Sequence, residues 1–441
     1  GTTTLDATGV ITFATNASTF NTLAVESDGG IAVNVGLTTD TGALSLDGDF
    51  DNGTAGNVTF ADGVTLTSED ALSLDATTGA LVGAGALTLN AKEGITISDN
   101  LTTAGTTTIN ADTDQGDGTG TLTLAASKTL DTTNAVLAIT AEDLDISGTS
   151  ITSGSANTTI TDSDGGGIGL GDTVSTNGLD ISVAELTKIT GADVELVSAG
   201  NIDVNNVSAV STANVGGTLI LDSAADVNFV TAATVTTNGL TVEADNQVDV
   251  DVAITTNAGN LSIDGDADNA ADTNDNVDIA GGLTLTTAGL LTLDATTNGI
   301  AGVALTLNAA EGVTINDALT TTGTLTVNAD TDANDNSGTF TTVGAVSAGN
   351  NAIAITANDV VLGSTLSSGS ASTTITESDA TGVGLGGTAV TDGLNLSGTE
   401  LQNVTAQGFE IATAGTITVD GISAANSANL TGTTTLDATG V

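Results

Sequence analysis

The sequence predicts an all-β protein, a parallel β-solenoid in which short strands stack coil upon coil. Three observations lead to this fold. Alternating apolar and polar residues recur in short runs throughout the 441 residues, turn-forming residues separate the runs, and long stretches of the chain repeat. Strands of about three to five residues cannot form an independent sheet, but they suffice when each coil hydrogen-bonds to the next.

The strand pattern is a period-two alternation. It is seen in residues 72–74 (Leu-Ser-Leu), 87–89 (Leu-Thr-Leu) and 95–97 (Ile-Thr-Ile). Gly, Asn, Asp and Ser stand between such runs, and these residues favour turns. Three strands in roughly 20–22 residues would complete one coil. No segment has a convincing helical period with caps, and the absence of Pro leaves every backbone N–H free for the ladder between coils.

A long internal repeat runs through the chain. Residues 87–114 align with residues 305–332, and residues 151–164 align with residues 366–379. The two offsets are nearly equal, so both alignments belong to one duplication. We therefore divide the sequence into two half-copies that fold in the same way.

The half-copies define the predicted organisation. Residues 1–216 form the first β-solenoid half-repeat and residues 217–431 form the second. Residues 432–441 read GTTTLDATGV, as residues 1–10 do, and begin the next tandem repeat. The chain is then one full period of a tandem array with a short overlap. It belongs either to a giant repetitive protein or to a unit that assembles head to tail.

Composition excludes several function classes. The chain has no Cys, His or Arg, and its only cations are Lys92, Lys128 and Lys188, which leave a net charge of −51. Thiolate and imidazole metal sites and Cys or His nucleophiles are therefore excluded. Nucleic acid would be repelled at this charge. No apolar run reaches the roughly 18 residues of a membrane span.

The same composition argues against an enzyme. Enzymatic β-helices combine carboxylates with Arg or Lys and use aromatic platforms for sugar rings, whereas Trp, Tyr, Arg and His are absent here. Two carboxyl groups can hydrolyse a glycoside, but 54 acidic residues make close pairs unavoidable. The carboxylates are spread along the chain and do not converge beside one unique loop. We predict no catalytic residues.

Acidic turns are the candidate metal sites. Residues 47–53 read DGDFDNG and their counterpart at 264–268 reads DGDAD, while residues 112–118 (DTDQGDG) correspond to residues 330–336 (DTDANDN). Carboxylates at alternating positions match the oxygen ligands that calcium prefers. The calcium candidates are Asp47, Asp49, Asp51, Asp112, Asp114, Asp117, Asp264, Asp266, Asp268, Asp330, Asp332 and Asp335.

Two features of these turns leave an alternative open. The first resembles the opening of an EF-hand-type calcium loop, but Asn52 follows the third Asp and no Glu stands at the twelfth position. The DGDAD run continues to Asp272 and Asp275. Asp and Asn also favour ordinary solvated turns between coils, and that interpretation stands beside the calcium one.

The net charge can be expressed as a charge per unit length of the predicted solenoid. If each coil rises about 4.8 Å, about 20 coils span roughly 100 Å. The net charge of −51 then amounts to about one charge per 2 Å, close to the value of about 1.7 Å for B-DNA, which condenses counterions. We expect a cation atmosphere rich in divalent ions. A salt-rich habitat in which acidity maintains solubility is the alternative.

One family resembles this pattern. The run LTLNAKEGITISDNLTTAGTTTINAD at residues 87–112 is similar to the repeats of filamentous-haemagglutinin-type exoproteins. These are large β-helix adhesins exported by two-partner secretion. The resemblance implies a right-handed β-helix, a bacterial origin and an extracellular or cell-surface location.

The sequence thus predicts a structural protein. The leading hypothesis is a fibre or spacer of tandem acidic β-solenoid repeats, whose surface keeps neighbouring fibres apart or bridges them through calcium. The expected partner is the protein itself, through tandem or head-to-tail repeats and lateral bundling. The alternative function is an adhesin shaft that mediates attachment between cells or to a surface.

Overall fold

The computed structural model describes residues 1–53, 56–116, 118–172, 178–270, 274–333, 336–387, 390–391 and 393–439. Throughout these residues the chain forms short strands joined by turns, and the paired strands are parallel. The predicted parallel β-solenoid is therefore confirmed.

The chain forms two units, Gly1–Ser223 and Ala224–Val441. The first half-repeat predicted from the sequence ends at residue 216, just before a strand that lies in the first unit, Thr218–Ser223. The division of the sequence into half-copies and the start of a further repeat at residue 432 stay predictions.

The first unit contains strands of two to six residues and one short helix, α1 (Val183–Leu186). Its described strands are β1 (Thr2–Ala7), β2 (Ile11–Phe13), β3 (Ser18–Phe20), β4 (Thr22–Ser27), β5 (Ile31–Val33), β6 (Leu37–Thr39), β7 (Leu44–Asp47), β8 (Val58–Phe60), β9 (Val64–Ser68), β10 (Leu72–Asp75), β11 (Leu81–Gly83), β12 (Leu87–Ala91), β13 (Ile95–Ile97), β14 (Leu101–Thr103), β15 (Thr107–Asn110), β16 (Thr121–Leu124), β17 (Thr129–Asp131), β18 (Leu137–Ala141), β19 (Asp143–Ile146), β20 (Ser150–Thr152), β21 (Thr158–Asp162), β22 (Ile168–Gly171), β23 (Leu179–Ser182), β24 (Ile189–Thr190), β25 (Val194–Ser198), β26 (Ile202–Asn205) and β27 (Thr218–Ser223).

The second unit is built in the same way and also carries one short helix, α2 (Gly398–Asn403). Its described strands are β28 (Asp226–Phe229), β29 (Thr234–Thr236), β30 (Gly239–Ala244), β31 (Gln247–Val250), β32 (Ile254–Thr256), β33 (Leu261–Asp264), β34 (Asn276–Ile279), β35 (Leu283–Thr287), β36 (Leu291–Asp294), β37 (Ile300–Gly302), β38 (Leu305–Ala309), β39 (Gly312–Ile315), β40 (Leu319–Thr321), β41 (Leu325–Asn328), β42 (Thr339–Thr342), β43 (Val346–Ser347), β44 (Ile353–Ala357), β45 (Asp359–Leu362), β46 (Leu366–Ser367), β47 (Ser372–Glu377), β48 (Val383–Gly386), β49 (Leu394–Leu396), β50 (Val404–Thr405), β51 (Gly408–Ala412), β52 (Ile417–Asp420) and β53 (Thr434–Asp437).

From β1 to β21, strands that are three places apart along the chain stack on one another. One sheet has the order β1-β4-β7-β10-β13-β16-β19, the next has β2-β5-β8-β11-β14-β17-β20-β24, and a third contains β3-β6-β9-β12-β15-β18-β21-β25-β27. Strands β23, β22 and β26 are neighbours in a further stack. Three successive strands thus lie in three different sheets, and this arrangement defines the coil of a solenoid.

The second unit repeats this organisation. Its stacks contain β28-β31-β34-β37-β40-β43-β46-β50, β29-β32-β35-β38-β41-β44-β47-β51-β53 and β30-β33-β36-β39-β42-β45, with β49-β48-β52 as a shorter one. Parallel strands cannot be joined by tight hairpins. The two strands that separate each stacked pair along the chain supply the connection.

Coil length is less uniform than the sequence predicts. Thr2 pairs with Thr22, a coil of 20 residues, as expected. Leu44 instead pairs with Leu72, 28 residues on. In this coil the additional residues include the acidic turn at residues 47–53. The longest coils contain other insertions: Thr158 pairs with Val194, 36 residues on, with β22, β23 and α1 between them.

The core is a ladder of apolar side chains inside each coil. Leu72 stacks between Leu44 and Ile95 in register, and all three side chains are fully buried. Phe60 and Phe340 are among the largest side chains that are fully buried. Burying one such side chain contributes about 1.5–3 kcal/mol, so the ladder supplies the main stabilisation of these short strands.

Two short helices form although neither segment has a convincing helical period in the sequence. Each helix begins with a capping box. The Ser182 side chain accepts a hydrogen bond from the Glu185 N–H, and the Glu185 side chain accepts one from the Ser182 N–H. Ser397 and Glu400 make the same pair of hydrogen bonds in the second helix. The sequence signal was the Ser-x-x-Glu spacing, which is sufficient for one turn of helix even without an amphipathic period. Of the described residues, no helix is long and apolar enough to cross a bilayer.

Candidate functional site: acidic turns and carboxylate columns

The first acidic turn, residues 47–53, closes on itself through its own carboxylates. The Asp49 N–H donates to Asp47 Oδ1 at 3.1 Å, and the Gly53 N–H donates to Asp51 Oδ1 at 2.9 Å. Asn52 has a φ of 55°, in the left-handed region that Asn tolerates. Asp47 and Asp51 therefore form Asx turns, each accepting the backbone N–H two residues on.

The equivalent turn of the second unit, residues 264–270, has the same backbone geometry. The Asp266 N–H donates to Asp264 Oδ1 at 3.0 Å, and the Ala270 N–H donates to Asp268 Oδ1 at 2.8 Å. Asn269 has a φ of 54°. The two Asx hydrogen bonds of the first turn thus recur in the second.

The middle Asp of each turn is fully buried, but the two differ in their partners. Asp49 Oδ2 accepts the Thr78 N–H at 3.0 Å and also the Thr78 hydroxyl. Neither carboxylate oxygen of Asp266 has a hydrogen-bond partner among the described residues. The first turn is therefore capped by the next coil, whereas the second turn is not.

The turn at residues 112–118 buries its first carboxylate. Asp112 Oδ1 accepts the Gln115 N–H at 3.0 Å, and Oδ2 accepts the Ser163 hydroxyl at 2.6 Å. Burial raises the pKa of Asp112, and its hydrogen bond with Asp164 raises it further. The Gly116 N–H in turn donates to Asp164 Oδ1 at 2.6 Å. This aspartate pair joins two turns of the chain.

The turn at residues 330–336 repeats that connection. Asp330 Oδ1 accepts the Ala333 N–H at 2.8 Å, and Oδ2 accepts the Ser378 hydroxyl. The Asn336 N–H donates to Asp379 Oδ2 at 3.1 Å. Both oxygens of the buried carboxylate are occupied by hydrogen bonds, so the role of this turn in the structure is to tie coils together.

A buried acid that the sequence analysis did not single out lies beside each of these connections. Asp162 Oδ2 accepts the Gly167 N–H at 3.0 Å and the Ser198 hydroxyl at 2.9 Å. Its counterpart Glu377 accepts the Asp379 N–H at 2.9 Å through Oε1 and the Thr413 hydroxyl at 2.6 Å through Oε2. The repeated motif TITDSD and TITESD was the available signal.

The stacking of coils also brings together acids that are distant in sequence. Asp6 pairs with Glu26, Glu26 with Asp47 and Asp47 with Asp75, each in the next coil of the first unit. Parallel strands lie about 4.8 Å apart, so four outward-facing carboxylates form one column. Burial raises the pKa of Asp47, and the charges of its neighbours in the column raise it further.

A second column lies in the second unit. Glu243 pairs with Asp264 and Asp264 pairs with Asp294. A hydrogen bond to Asp294, together with partial burial, raises the pKa of Asp317 to about 6. Stacking in register therefore aligns acids that are about 20–30 positions apart along the chain.

The structure separates the predicted calcium ligands by exposure. The exposed ones are Asp51, Asp114, Asp268 and Asp332, and the half-buried ones are Asp47 and Asp264. The buried ones are Asp49, Asp112, Asp266 and Asp330. Outside the described residues lie Asp117 and Asp335, and also Asp272. Within the residues that the structure describes, no group of three or more acidic side chains is placed to hold a metal ion. Calcium binding at these turns stays a prediction.

All three lysines of the chain lie in the first unit. Lys92 Nζ lies 2.6 Å from Glu69, Lys128 Nζ lies 2.7 Å from the buried carboxylate of Asp99, and Lys188 Nζ donates to the Ile146 carbonyl oxygen. The sequence of the second unit contains no Lys, Arg or His. Its carboxylates must therefore be compensated by protons, backbone donors or ions from solution.

Comparison with models of known protein families, with characterised proteins and with solved structures gives no match to this chain. The resemblance to filamentous-haemagglutinin-type repeats rests on the sequence pattern.

Proposed function

We propose that this chain is a segment of an extracellular or cell-surface structural fibre, a spacer made of tandem acidic β-solenoid repeats with no catalytic role. Divalent cations act as its counterions. The extracellular or cell-surface location of the fibre is inferred from the resemblance to secreted bacterial β-helix proteins. The mechanical role is inferred from the backbone ladder, which continues from coil to coil.

The observation that carries the proposal is a repeat junction that occurs once in each unit. In the first unit β27 docks on β25, with Leu219 opposite Val194. In the second unit β53 docks on β51, with Thr434 opposite Phe409. Both β27 and β53 open a predicted copy of the repeat, and both continue the preceding sheet in parallel register.

The surrounding contacts of the two junctions correspond as well. An isolated bridge joins Gly191 to Val215 in the first unit, and another joins Ala406 to Leu430 in the second. Strand β53 lies within residues 432–441, which repeat residues 1–10. This agreement supports a junction that adds one repeat after another without a change of geometry.

The acidic columns support the counterion part of the proposal. Like charges at the spacing of stacked strands repel one another. Divalent ions relieve that repulsion within one fibre and can join the columns of neighbouring fibres.

Proteins carrying one, two and three consecutive 431-residue periods test the proposal. Coils of 20–30 residues at about 4.8 Å each give roughly 70–100 Å for each period. Electron microscopy should show particles of constant width whose length grows by that increment. Oriented samples should diffract near 4.8 Å along the long axis. Compact particles, or a length that does not increase with the number of periods, would contradict the fibre.

A further inference from the structure

The inner aspartate of the 264–270 turn is buried without compensation. Asp266 is 0% exposed, and its two carboxylate oxygens have no hydrogen-bond partner among the described residues. Burying an ionised carboxylate without a partner costs several kcal/mol. A neutral carboxyl group would also leave a buried O–H without an acceptor. Either form requires a further ligand at this position.

The first unit shows how the same turn is satisfied by protein groups alone. There the backbone N–H and hydroxyl of Thr78 cap Asp49. The corresponding threonine by sequence is Thr297, and no such hydrogen bond reaches Asp266. In that segment the hydroxyl of the preceding residue, Thr296, donates instead to Asn269 Oδ1 at 2.8 Å.

A second buried carboxyl group lies at the neck of the same loop, which is the place where Gly265 meets Asn276. The backbone of Gly265 lies against the carbonyl group of Asn276, so the residues on either side of this contact, Asp266 and Asp275, flank the neck. Asp275 is also 0% exposed. The first unit has Gly56 at the position of Asp275, and a Cβ there would collide with a neighbouring carbonyl oxygen.

The electrostatic surroundings of this neck are negative throughout. Asp264 and Asp294 belong to the column of acids beside it. The second unit has no side-chain cation by sequence. The missing charge must therefore be supplied from solution.

We propose that Asp266 and Asp275 bind a calcium-type divalent cation at the neck of this loop. Hard cations of this class take carboxylate oxygens and complete their coordination with backbone carbonyl and water oxygens. Among the described residues of the four predicted calcium turns, the buried carboxylates of Asp49, Asp112 and Asp330 accept hydrogen bonds from later segments of the chain, whereas Asp266 has no such partner.

Calcium titration of the chain by isothermal calorimetry tests the site. The protein is first stripped with a chelator and kept at pH 7.5 in roughly 0.5 M NaCl, where screening suppresses diffuse binding to the acidic surface. One saturable site per chain is expected. Asp266→Asn should weaken it at least tenfold, whereas Asp49→Asn, the matched change in the first unit, should leave the affinity unchanged.

Thermal unfolding supplies the second measurement. Calcium should raise the Tm of the wild-type chain and of the Asp49→Asn variant but not that of Asp266→Asn. Without calcium, Asp266→Asn should melt at or above the wild-type temperature, because it removes a buried charge. If that variant does not fold by circular dichroism, Asp275→Asn takes its place and should lose calcium binding in the same way.

Three outcomes would overturn the site. They are the absence of a saturable calcium site in the wild-type chain, unchanged affinity in a folded Asp266→Asn or Asp275→Asn variant, and equal loss in Asp49→Asn. None of these outcomes would contradict the fibre, which rests on the repeat junctions.

Discussion

The hydrogen-bonded pair Asp294 and Asp317 makes the stability of the second unit depend on pH. In the folded chain the pKa of Asp317 is raised from 3.8 to about 6. The folded state therefore holds this proton more tightly than the unfolded chain. Its contribution to stability is fully present below pH 3.8 and is lost as the pH rises through about 6.

The magnitude follows from the shift. A change of about two pKa units corresponds to about 3 kcal/mol in a buried site. Asp317 is only partly buried, and solvent screening reduces the contribution to about 1 kcal/mol. Asp317→Asn keeps an N–H donor for the hydrogen bond to Asp294 but removes the second charge. The variant should therefore be about 1 kcal/mol more stable than the wild type at pH 7.5 and equal to it near pH 3.5.

Thermal unfolding at the two pH values measures this difference. A gain of about 1 kcal/mol in a unit of this size raises Tm by roughly 2–4 °C. Glu311→Gln makes the same change of charge at an exposed site nearby and should shift Tm far less. Carboxyl carbon NMR should show a step near pH 6 that belongs to the pair and disappears in Asp317→Asn.

An equal shift of Tm at both pH values in Asp317→Asn, or a lower Tm at pH 7.5, would refute this origin of the pH dependence. A wild-type titration without a step near pH 6 would also contradict the shared proton.

Three further predictions concern the core, a turn and the ion pairs. Phe340→Ala should destabilise the chain by about 3–5 kcal/mol in denaturant unfolding, because its side chain is fully buried; Phe50→Ala, at a side chain that is 48% exposed, is the control. Ser163→Ala should cost about 1–3 kcal/mol and loosen hydrogen-exchange protection in the turn at residues 112–118, because it removes a donor from a buried carboxylate. Lys128→Met should cost about 3–5 kcal/mol, because the buried carboxylate of its ion pair loses its cation. Lys92→Met, at a pair exposed to solvent, should cost far less stability than Lys128→Met, and equal losses in the two lysine variants would contradict the burial argument.

Much of the fold could be predicted from local signals. Period-two runs such as residues 72–74 are strands in the structure, and the turn residues lie between strands. The helix that begins after Ser182 was missed because its signal is a single capping box. One turn of helix has no amphipathic period to detect.

The acidic sites were less accessible to prediction. The spacing of Asp47, Asp49 and Asp51 indicates a turn, but it does not say which carboxylate is buried or what caps it. Thr78, which caps Asp49, comes 29 residues later and belongs to the next coil. The similar motif at residues 264–268 lacks that cap, and the aspartate spacing is the same in both turns, so this spacing does not reveal the difference.

The sequence by itself determined the solenoid, the duplication and the high negative charge, because these depend on residue types and on spacing along the chain. The tertiary structure decided which carboxylates become neighbours. Coils of unequal length bring Glu26, Asp47 and Asp75 into one column and leave Asp266 buried without a partner. The physical reason is register: hydrogen bonding between coils, and not distance along the chain, sets the distance between charges.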